Sequence, residues 1–231
     1  MISDSFSLVK SSLPLEVRKA AAYGWKLFPI VAGAKSPLVK WGTTEPASSD
    51  LDQITRWAMK YPNSSWGCAT GSKSGFFAVD TDDMDGWLWA MSKGLPETHN
   101  VKTGKDVPYA YHYYFKQPAG IVIKNSQKKI HSGVDVRGDG GLVVVPPSLH
   151  HSGNRYHLEK AHAWELAEAP DWLLELVKDN TPGRPVIDLC DLPPLTPNQT
   201  QHGQNIFRKL CRQFAALPAG TGSCCEESRR L

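Results

Sequence analysis

The stretch FFAVDTDDMDG, residues 76–86, places an apolar run directly before four acidic residues that fall within six positions. A short apolar run of this kind predicts a buried strand, and side chains two positions apart on a strand point to the same face. Asp80 and Asp82 therefore project together from the end of the predicted strand, with Thr81 on the opposite face. Two carboxylates at one strand end form a natural site for Mg²⁺ or Mn²⁺, hard cations that prefer oxygen ligands.

The same acidic residues have two other interpretations. A calcium-binding EF-hand loop that starts at Asp80 is excluded, because it needs Asp or Asn at its fifth position and glycine at its sixth, where Met84 and Asp85 stand. A polar strand end is the remaining alternative, in which Asp82 or Asp83 caps the following helix and Asp83 and Asp85 place negative charge at its start. This stretch alone leaves the metal site and the helix cap both open.

A histidine lies in the aromatic stretch YAYHYYF, residues 109–115. Alternation along a strand places Ala110, His112 and Tyr114 on one face, so that one polar side chain is set into an aromatic strand. Such a histidine must find a hydrogen-bond partner or face a cavity. A structural histidine with its partners and a ligand-binding histidine are both consistent with this pattern.

The stretch GVDVRGDGG, residues 133–141, repeats the alternation, because Asp135 and Arg137 share one face and a turn with three glycines, including Gly140, follows. A surface ion pair beside a turn is one explanation. The other is a site for a metal-bound polyphosphate, in which the carboxylate binds the metal and the guanidinium binds phosphate oxygens. The three stretches together supply three carboxylates, one imidazole and one guanidinium, which a two-metal nucleotidyl-transfer site requires.

The remaining pattern predicts an α+β domain, because strands and helices are segregated along the chain. The helix predicted around residues 49–61 starts with a capping-box-like pair, Ser49 and Asp52. The helix after the acidic stretch has Trp87, Leu88 and Met91 as its apolar residues. Further helices are predicted at residues 13–25 and 170–180, and further strands at residues 26–31, 142–146 and 155–159.

The domain organisation follows from a change in composition. Residues 1–178 are predicted to form the α+β domain. Five prolines between residues 181 and 197 predict a Pro-rich linker over residues 179–200. Residues 201–231 are predicted to form a small C-terminal helical appendage with a polar tail, and one helix of that size does not fold alone.

Composition places few limits on function. The 231-residue chain carries a formal net charge of +3, which permits nucleic-acid binding without indicating it. Its five cysteines include no C-x-x-C pair, so no zinc site is predicted. The longest apolar run is too short to span a membrane and the N-terminus has no signal-peptide pattern. We therefore expect no membrane partner and a cytoplasmic location.

Five stretches follow one another in a characteristic order: FPIVAGAKSPLVKW (28–41), TGSKSGFFAVDTD (70–82), YHYYF (111–115), GVDVRGDGGLVVVPPSLHHSG (133–153) and RYHLE (155–159). Taken together, they resemble the bifunctional primase–polymerase (prim-pol) domain of the archaeo-eukaryotic primase superfamily, of the type found in replication proteins of phages and mobile elements. The resemblance spans about residues 15–175 and implies a primase–polymerase fold with a central, mainly antiparallel sheet flanked by helices. If the chain is phage-encoded, the expected location is the cytoplasm of the host cell.

The resemblance also implies roles for individual residues. Asp80 and Asp82 match the D-x-D metal motif of the family, and Asp135 matches its third metal-binding carboxylate, so these three are the implied catalytic residues. His112 matches the histidine that contacts the phosphates of the incoming nucleotide, and Arg137 lies where such domains often hold that nucleotide. Two weaker candidates for phosphate or sugar contacts are Ser148 and the backbone at Gly140. One departure is that KDVPYAYH, residues 105–112, lacks the glycine-rich segment that often precedes the histidine.

The implied activity is DNA-dependent priming, DNA polymerisation or both. Two divalent ions, Mg²⁺ or Mn²⁺, would support transfer of a nucleotide from a dNTP or NTP to a 3′-hydroxyl during phage or plasmid replication. The implied partners are a single-stranded DNA template, a primer, the nucleotides and, in a longer protein, a C-terminal helicase module. Four lysines have two interpretations, contact with the template backbone or solvated surface charge: Lys35, Lys124, Lys128 and Lys129.

Two alternatives compete with this interpretation. One is a non-catalytic nucleic-acid-binding module that keeps the prim-pol shell. The other is a different D-x-D enzyme, such as a nucleotide-sugar glycosyltransferase, although that class does not predict the GVDVRGDGG strand. A haloacid-dehalogenase-type phosphatase is disfavoured, because it would need Thr or Val at the position of Met84.

Overall fold

A computed structural model describes residues 2–41, 46–159 and 163–178 of the chain. The predicted linker at 179–200 and the predicted appendage at 201–231 lie outside the described residues. The helices are α1 (Ile2–Ser12), α2 (Leu15–Ala22), α3 (Leu51–Lys60), α4 (Met84–Ser92) and α5 (Asp171–Val177). The strands are β1 (Leu27–Ile30), β2 (Ser65–Ala69), β3 (Phe76–Thr81), β4 (Asn100–Lys102), β5 (Tyr111–Lys116), β6 (Ser126–His131), β7 (Val134–Arg137), β8 (Leu142–Val145) and β9 (His157–Leu158).

These strands form two sheets, and every pair of neighbouring named strands is antiparallel. The smaller sheet has the order β1-β2-β8, and the larger has the order β6-β7-β3-β5-β4-β9. The α+β class with antiparallel sheets flanked by helices is therefore confirmed. In the described part of the chain, none of the helices has the length and apolar character that crossing a bilayer requires.

Strand β3 lies inside the larger sheet and is buried along its whole length. Phe76 and Ala78 belong to one hydrophobic cluster, whereas Phe77 and Val79 belong to a second cluster on the opposite face. Apolar contacts on both faces explain why the FFAV run is continuous rather than alternating. Asp80 follows Ala78 on the face of the first cluster, so the strand carries a carboxylate into a buried position.

Several elements differ from the sequence prediction. Helix α1 and strands β2, β4 and β6 were not predicted. Strand β6 has the sequence SQKKIH and is mostly exposed at the sheet edge, so it offers no apolar alternation to detect. The N-cap of α3 is Asp50, whose carboxylate accepts a hydrogen bond from the Asp52 amide, so the assignment of this cap to Ser49 was wrong.

The predicted apolar face of α4 was also wrong at one residue. Leu88 is 52% exposed, and the buried positions of the helix are Gly86 and Ala90. The helix approaches the turn between β6 and β7 so closely that a Cβ on Gly86 would lie 2.3 Å from the Gly133 carbonyl oxygen. At Gly86 the Gly133 backbone leaves no room for a side chain, whereas Trp89 of the same helix packs against the second hydrophobic cluster.

Gly86→Ala tests this contact, because the close approach and helix propensity predict changes of opposite sign in the free energy of unfolding. In an open helix the change stabilises by up to about 1 kcal/mol. Here we expect the free energy of unfolding to fall by about 1–3 kcal/mol, because the new methyl group overlaps the Gly133 carbonyl. Urea denaturation measures the change, and Ser92→Ala at the exposed end of α4 is the control, with an expected effect within about 0.5 kcal/mol. A more stable Gly86→Ala chain would refute the close approach.

Candidate active site

Three carboxylates from two strands meet at one end of the larger sheet. We call Asp80, Asp82 and Asp135 the carboxylate cluster, because one oxygen from each lies within 4.8 Å of the others. In the strand register Asp80 lies opposite Asp135 on β7 and opposite His112 on β5. Antiparallel pairing therefore brings together residues that are more than 30 positions apart in the chain. Asp82 joins the cluster because it lies two positions after Asp80 and, as predicted, projects to the same side.

Arg137 joins two members of the cluster. Its Nη2 donates to Asp80 Oδ2 at 2.9 Å and to Asp135 Oδ2 at 2.8 Å, and its Nε donates to Asp80 Oδ2 at 3.3 Å. Burial raises the pKa of Asp80, but the His112 imidazole and the Arg137 guanidinium lower it, and the pKa lies below its ordinary value. Asp80 is therefore a buried carboxylate that remains ionised at neutral pH.

His112 lies against the other side of Asp80. Its Nε2 is 3.4 Å from Asp80 Oδ1, and its side chain is 3% exposed. Burial lowers the pKa of His112 to about 4, despite the opposing effect of Asp80. The imidazole is thus neutral at neutral pH, and it can donate or accept a hydrogen bond but does not add positive charge.

Two buried atoms at this point lack hydrogen-bond partners within the described residues, namely Asp80 Oδ1 and His112 Nδ1. Leaving a buried polar atom unpaired costs about 1–3 kcal/mol, so such atoms call for a functional explanation. A carboxylate oxygen with free lone pairs, next to two further carboxylates, fits a divalent cation that prefers oxygen ligands. The residues present therefore suit Mg²⁺ or Mn²⁺.

Comparison with known families agrees with this geometry. The family model described as "bifunctional DNA primase/polymerase, N-terminal" matches residues 17–172, well over half of the chain. The chain belongs to this prim-pol family. A comparison with curated proteins finds no match. The resemblance proposed from the five sequence stretches is confirmed, and membership in the family supports nucleotidyl transfer of the primase–polymerase type.

The prim-pol domain places a lysine at the cluster that sequence reasoning missed. Lys105 Nζ donates to Asp82 Oδ1 at 2.5 Å from the segment that joins β4 to β5. An isolated lysine in the loop segment TGKDVPYA, residues 103–110, has no periodicity that would single it out. Lys35 also acts on the cluster, because its charge lowers the pKa values of Asp80 and His112.

The segment that carries Lys105 is fixed to a turn of the same domain. The Gly104 carbonyl accepts hydrogen bonds from Ser152 Oγ at 2.6 Å and from Asn154 Nδ2 at 3.2 Å. A Cβ on Gly104 would lie 2.1 Å from the Cβ of His150, so this position needs a glycine. A cavity of about 130 Å³ adjoins this turn and is lined in part by Lys35, His150, His151 and Tyr156.

The two weaker nucleotide-binding candidates lie apart from these contacts. The Ser148 hydroxyl accepts a hydrogen bond from the Trp66 amide and lines a different cavity of about 340 Å³. Gly140 is exposed, with a left-handed φ of +79°. Within the described residues, no hydrogen bond or ion pair joins either one to the carboxylate cluster, and their binding roles stay predictions.

Two buried histidines make the stability of the prim-pol domain depend on pH. Burial lowers the pKa values of His99 and His112 to about 4, compared with 6.5 for a free histidine. Between these values the unfolded chain binds protons that the folded chain does not, so acid favours unfolding. We expect the free energy of unfolding to fall from pH 7 to pH 5 by roughly 2 kcal/mol for each of the two histidines.

Chemical denaturation at the two pH values tests this expectation. His99→Gln removes one of the two buried histidines and leaves the residues of the carboxylate cluster unchanged. The difference in the free energy of unfolding between pH 7 and pH 5 should therefore shrink by roughly 2 kcal/mol. His157→Gln is the control, because His157 is 62% exposed and should leave the dependence unchanged. An unaltered pH dependence in His99→Gln would show that His99 is not held neutral by burial.

Proposed function

We propose that this chain is a DNA-dependent primase, DNA polymerase or both, which transfers a nucleotide from a dNTP or NTP to a 3′-hydroxyl. The observation that carries the proposal is the carboxylate cluster of a prim-pol family member, in which one oxygen each of Asp80, Asp82 and Asp135 lies within 4.8 Å of the others. In the same cluster the buried Asp80 Oδ1 has no hydrogen-bond partner among the described residues. Phage or plasmid replication is the proposed setting.

Asp80, Asp82 and Asp135 would hold two divalent ions, Mg²⁺ or Mn²⁺. Held there, the ions supply the Lewis acidity that activates the attacking hydroxyl and stabilises the pyrophosphate leaving group. The sheet contributes preorganisation, because Asp80 and Asp135 are fixed in register on neighbouring strands and Arg137 bridges their carboxylates. The carboxylates therefore need little rearrangement to act together.

Arg137 and His112 would bind the triphosphate in different ways. Among the described residues, the carboxylate contacts of Arg137 use Nε and Nη2, and the two N–H groups on Nη1 would bind phosphate oxygens. The neutral His112 would donate one hydrogen bond to a phosphate oxygen. Lys35 adds positive charge on the same side, because its field reaches both Asp80 and His112.

The proposed macromolecular partners are a single-stranded template and a primer. Strand β6 forms an edge of the larger sheet and exposes Lys128 and Lys129. The Lys128 amide donates to Asp135 Oδ1 at 3.0 Å, so this basic edge begins directly beside the carboxylate cluster. Exposed lysines in that position suit the phosphate backbone of a nucleic acid.

Assays of the full chain on three substrate classes test the proposal. We expect incorporation of labelled nucleotides on a DNA template with Mg²⁺ or Mn²⁺, assayed with and without a primer. We expect neither transfer from a nucleotide sugar nor hydrolysis of a phosphomonoester. DNA binding without incorporation would instead support a non-catalytic module, and sugar transfer would identify a different D-x-D enzyme.

A further inference from the structure

Each carboxylate of the cluster has a basic partner, but the partners differ in how firmly they are held. Asp80 and Asp135 side chains are 2% and 9% exposed, and they share Arg137, which is itself 15% exposed. The Asp82 side chain is 38% exposed and pairs with Lys105, which is 36% exposed. The cluster therefore has a buried side fixed by a guanidinium and an open side neutralised by an ammonium.

The Lys105 pair is the easier one to break. Ion pairs between partly exposed groups contribute only about 0–1 kcal/mol, whereas a buried, forked arginine contact is expensive to disrupt. The ammonium also stands on a flexible four-carbon stem, so it can leave Asp82 without movement of the backbone. Its backbone stays in place, because the neighbouring Gly104 carbonyl is bound by Ser152 and Asn154.

A divalent ion and the Lys105 ammonium compete for the Asp82 carboxylate. The ammonium donates to Oδ1 at 2.5 Å, and a cation bound by the cluster would use oxygens of the same carboxylate. Two positive charges a few ångströms apart repel, so occupancy of Asp82 by one disfavours the other. The segment that carries Lys105 lies against His150, because a Cβ on the neighbouring Gly104 would lie 2.1 Å from the His150 Cβ. Lys35 lines the same cavity as His150.

On the basis of the proposed function, we propose that Lys105 is a displaceable cation that holds Asp82 until a divalent ion binds, and that it then turns to the phosphates of the incoming nucleotide beside Lys35 and His150. Lys105 thereby couples metal binding to nucleotide binding. The Asp82 carboxylate is kept paired with a cation before the ion arrives, and a phosphate-binding ammonium is released when it does.

Binding measurements on the full chain test this coupling without relying on activity. In Lys105→Met, Mn²⁺ binding in the absence of nucleotide, followed by electron paramagnetic resonance, should tighten about two- to fivefold, because the competing ammonium is gone. In the presence of saturating Mn²⁺, binding of a non-hydrolysable dNTP analogue should weaken about tenfold, because a charged phosphate contact is lost. Lys105→Arg, which keeps the charge, should show less of both changes.

Two matched lysines separate the proposal from simpler effects. Lys116→Met removes a comparable ion pair, with Glu168 at 2.8 Å, from the opposite end of β5 and should leave Mn²⁺ affinity unchanged. Lys35→Met removes a charge whose field reaches Asp80, so it measures the effect of charge alone. The proposal is overturned if Lys105→Met tightens Mn²⁺ binding no more than Lys35→Met does. A wild-type chain that binds no Mn²⁺ would instead overturn the metal centre itself.

Discussion

Replacing both Asp80 and Asp82 by asparagine should abolish templated nucleotide incorporation while DNA binding persists. Asparagine keeps the shape of the side chain but removes the charge that a divalent ion requires, and two of the three carboxylates of the cluster are lost. We expect incorporation to fall by a factor of about 10³ or more, which corresponds to about 4 kcal/mol of transition-state stabilisation. Primer extension measures the loss, and fluorescence anisotropy with single-stranded DNA measures binding.

The acidic stretch supplies its own control for this experiment. Asp85 lies three positions after Asp82 in the first turn of α4, and its side chain is 77% exposed. Asp85→Asn removes one negative charge from the same segment without touching the cluster, so activity should stay within about twofold of wild type. Substantial activity in the double variant, or an equal loss of activity in Asp85→Asn, would contradict the interpretation of the acidic stretch. In that interpretation Asp80 and Asp82 bind metal, whereas Asp83 and Asp85 place charge at the helix start.

Replacing Arg137 by methionine should cause the largest loss of stability. The side chain bridges Asp80, which is almost fully buried, and Asp135. Removing one partner of a buried ion pair leaves an uncompensated charge and typically costs about 3–5 kcal/mol. We expect a loss of that size in the free energy of unfolding, measured by urea denaturation at pH 7.

A second substitution shows whether the buried charge causes that loss. Asp80→Asn in the Arg137→Met background removes the uncompensated carboxylate, so more than half of the lost stability should return. Arg56→Met is the control, because Arg56 and Asp50 form an exposed pair at 3.8 Å and should contribute less than about 1 kcal/mol. A loss below about 1 kcal/mol for Arg137→Met would mean that Asp80 does not depend on the guanidinium.

The strand-borne part of the site could be predicted from the sequence. Alternation in the three stretches put Asp80 with Asp82, isolated His112 on its strand and paired Asp135 with Arg137, and strand pairing brings all five together. The prediction worked because a period of two is a property of the extended backbone itself. Asp83 was likewise a predictable cap, and its carboxylate accepts a hydrogen bond from the Gly86 amide at 2.8 Å.

The remaining features depend on contacts that no local pattern encodes. Lys105 reaches Asp82 because the loop before β5 is tied to the Ser152 turn, an interaction between segments about 50 residues apart. Strand β6 is an exposed, polar edge with a left-handed residue at Lys128, so it lacks the signal of a buried strand. The burial of Gly86 in α4 follows from its contact with the Gly133 backbone rather than from its own hydrophobicity.

The central claim is that the carboxylate cluster supports nucleotide transfer directed by a template. The most direct measurement uses four primer–template duplexes that differ only in the template base opposite the next position. Each duplex is given one nucleotide at a time, with the full chain and Mg²⁺ or Mn²⁺. On each template we predict extension only with the complementary nucleotide. No extension with either cation, or extension by the same nucleotide on all four templates, would contradict the account.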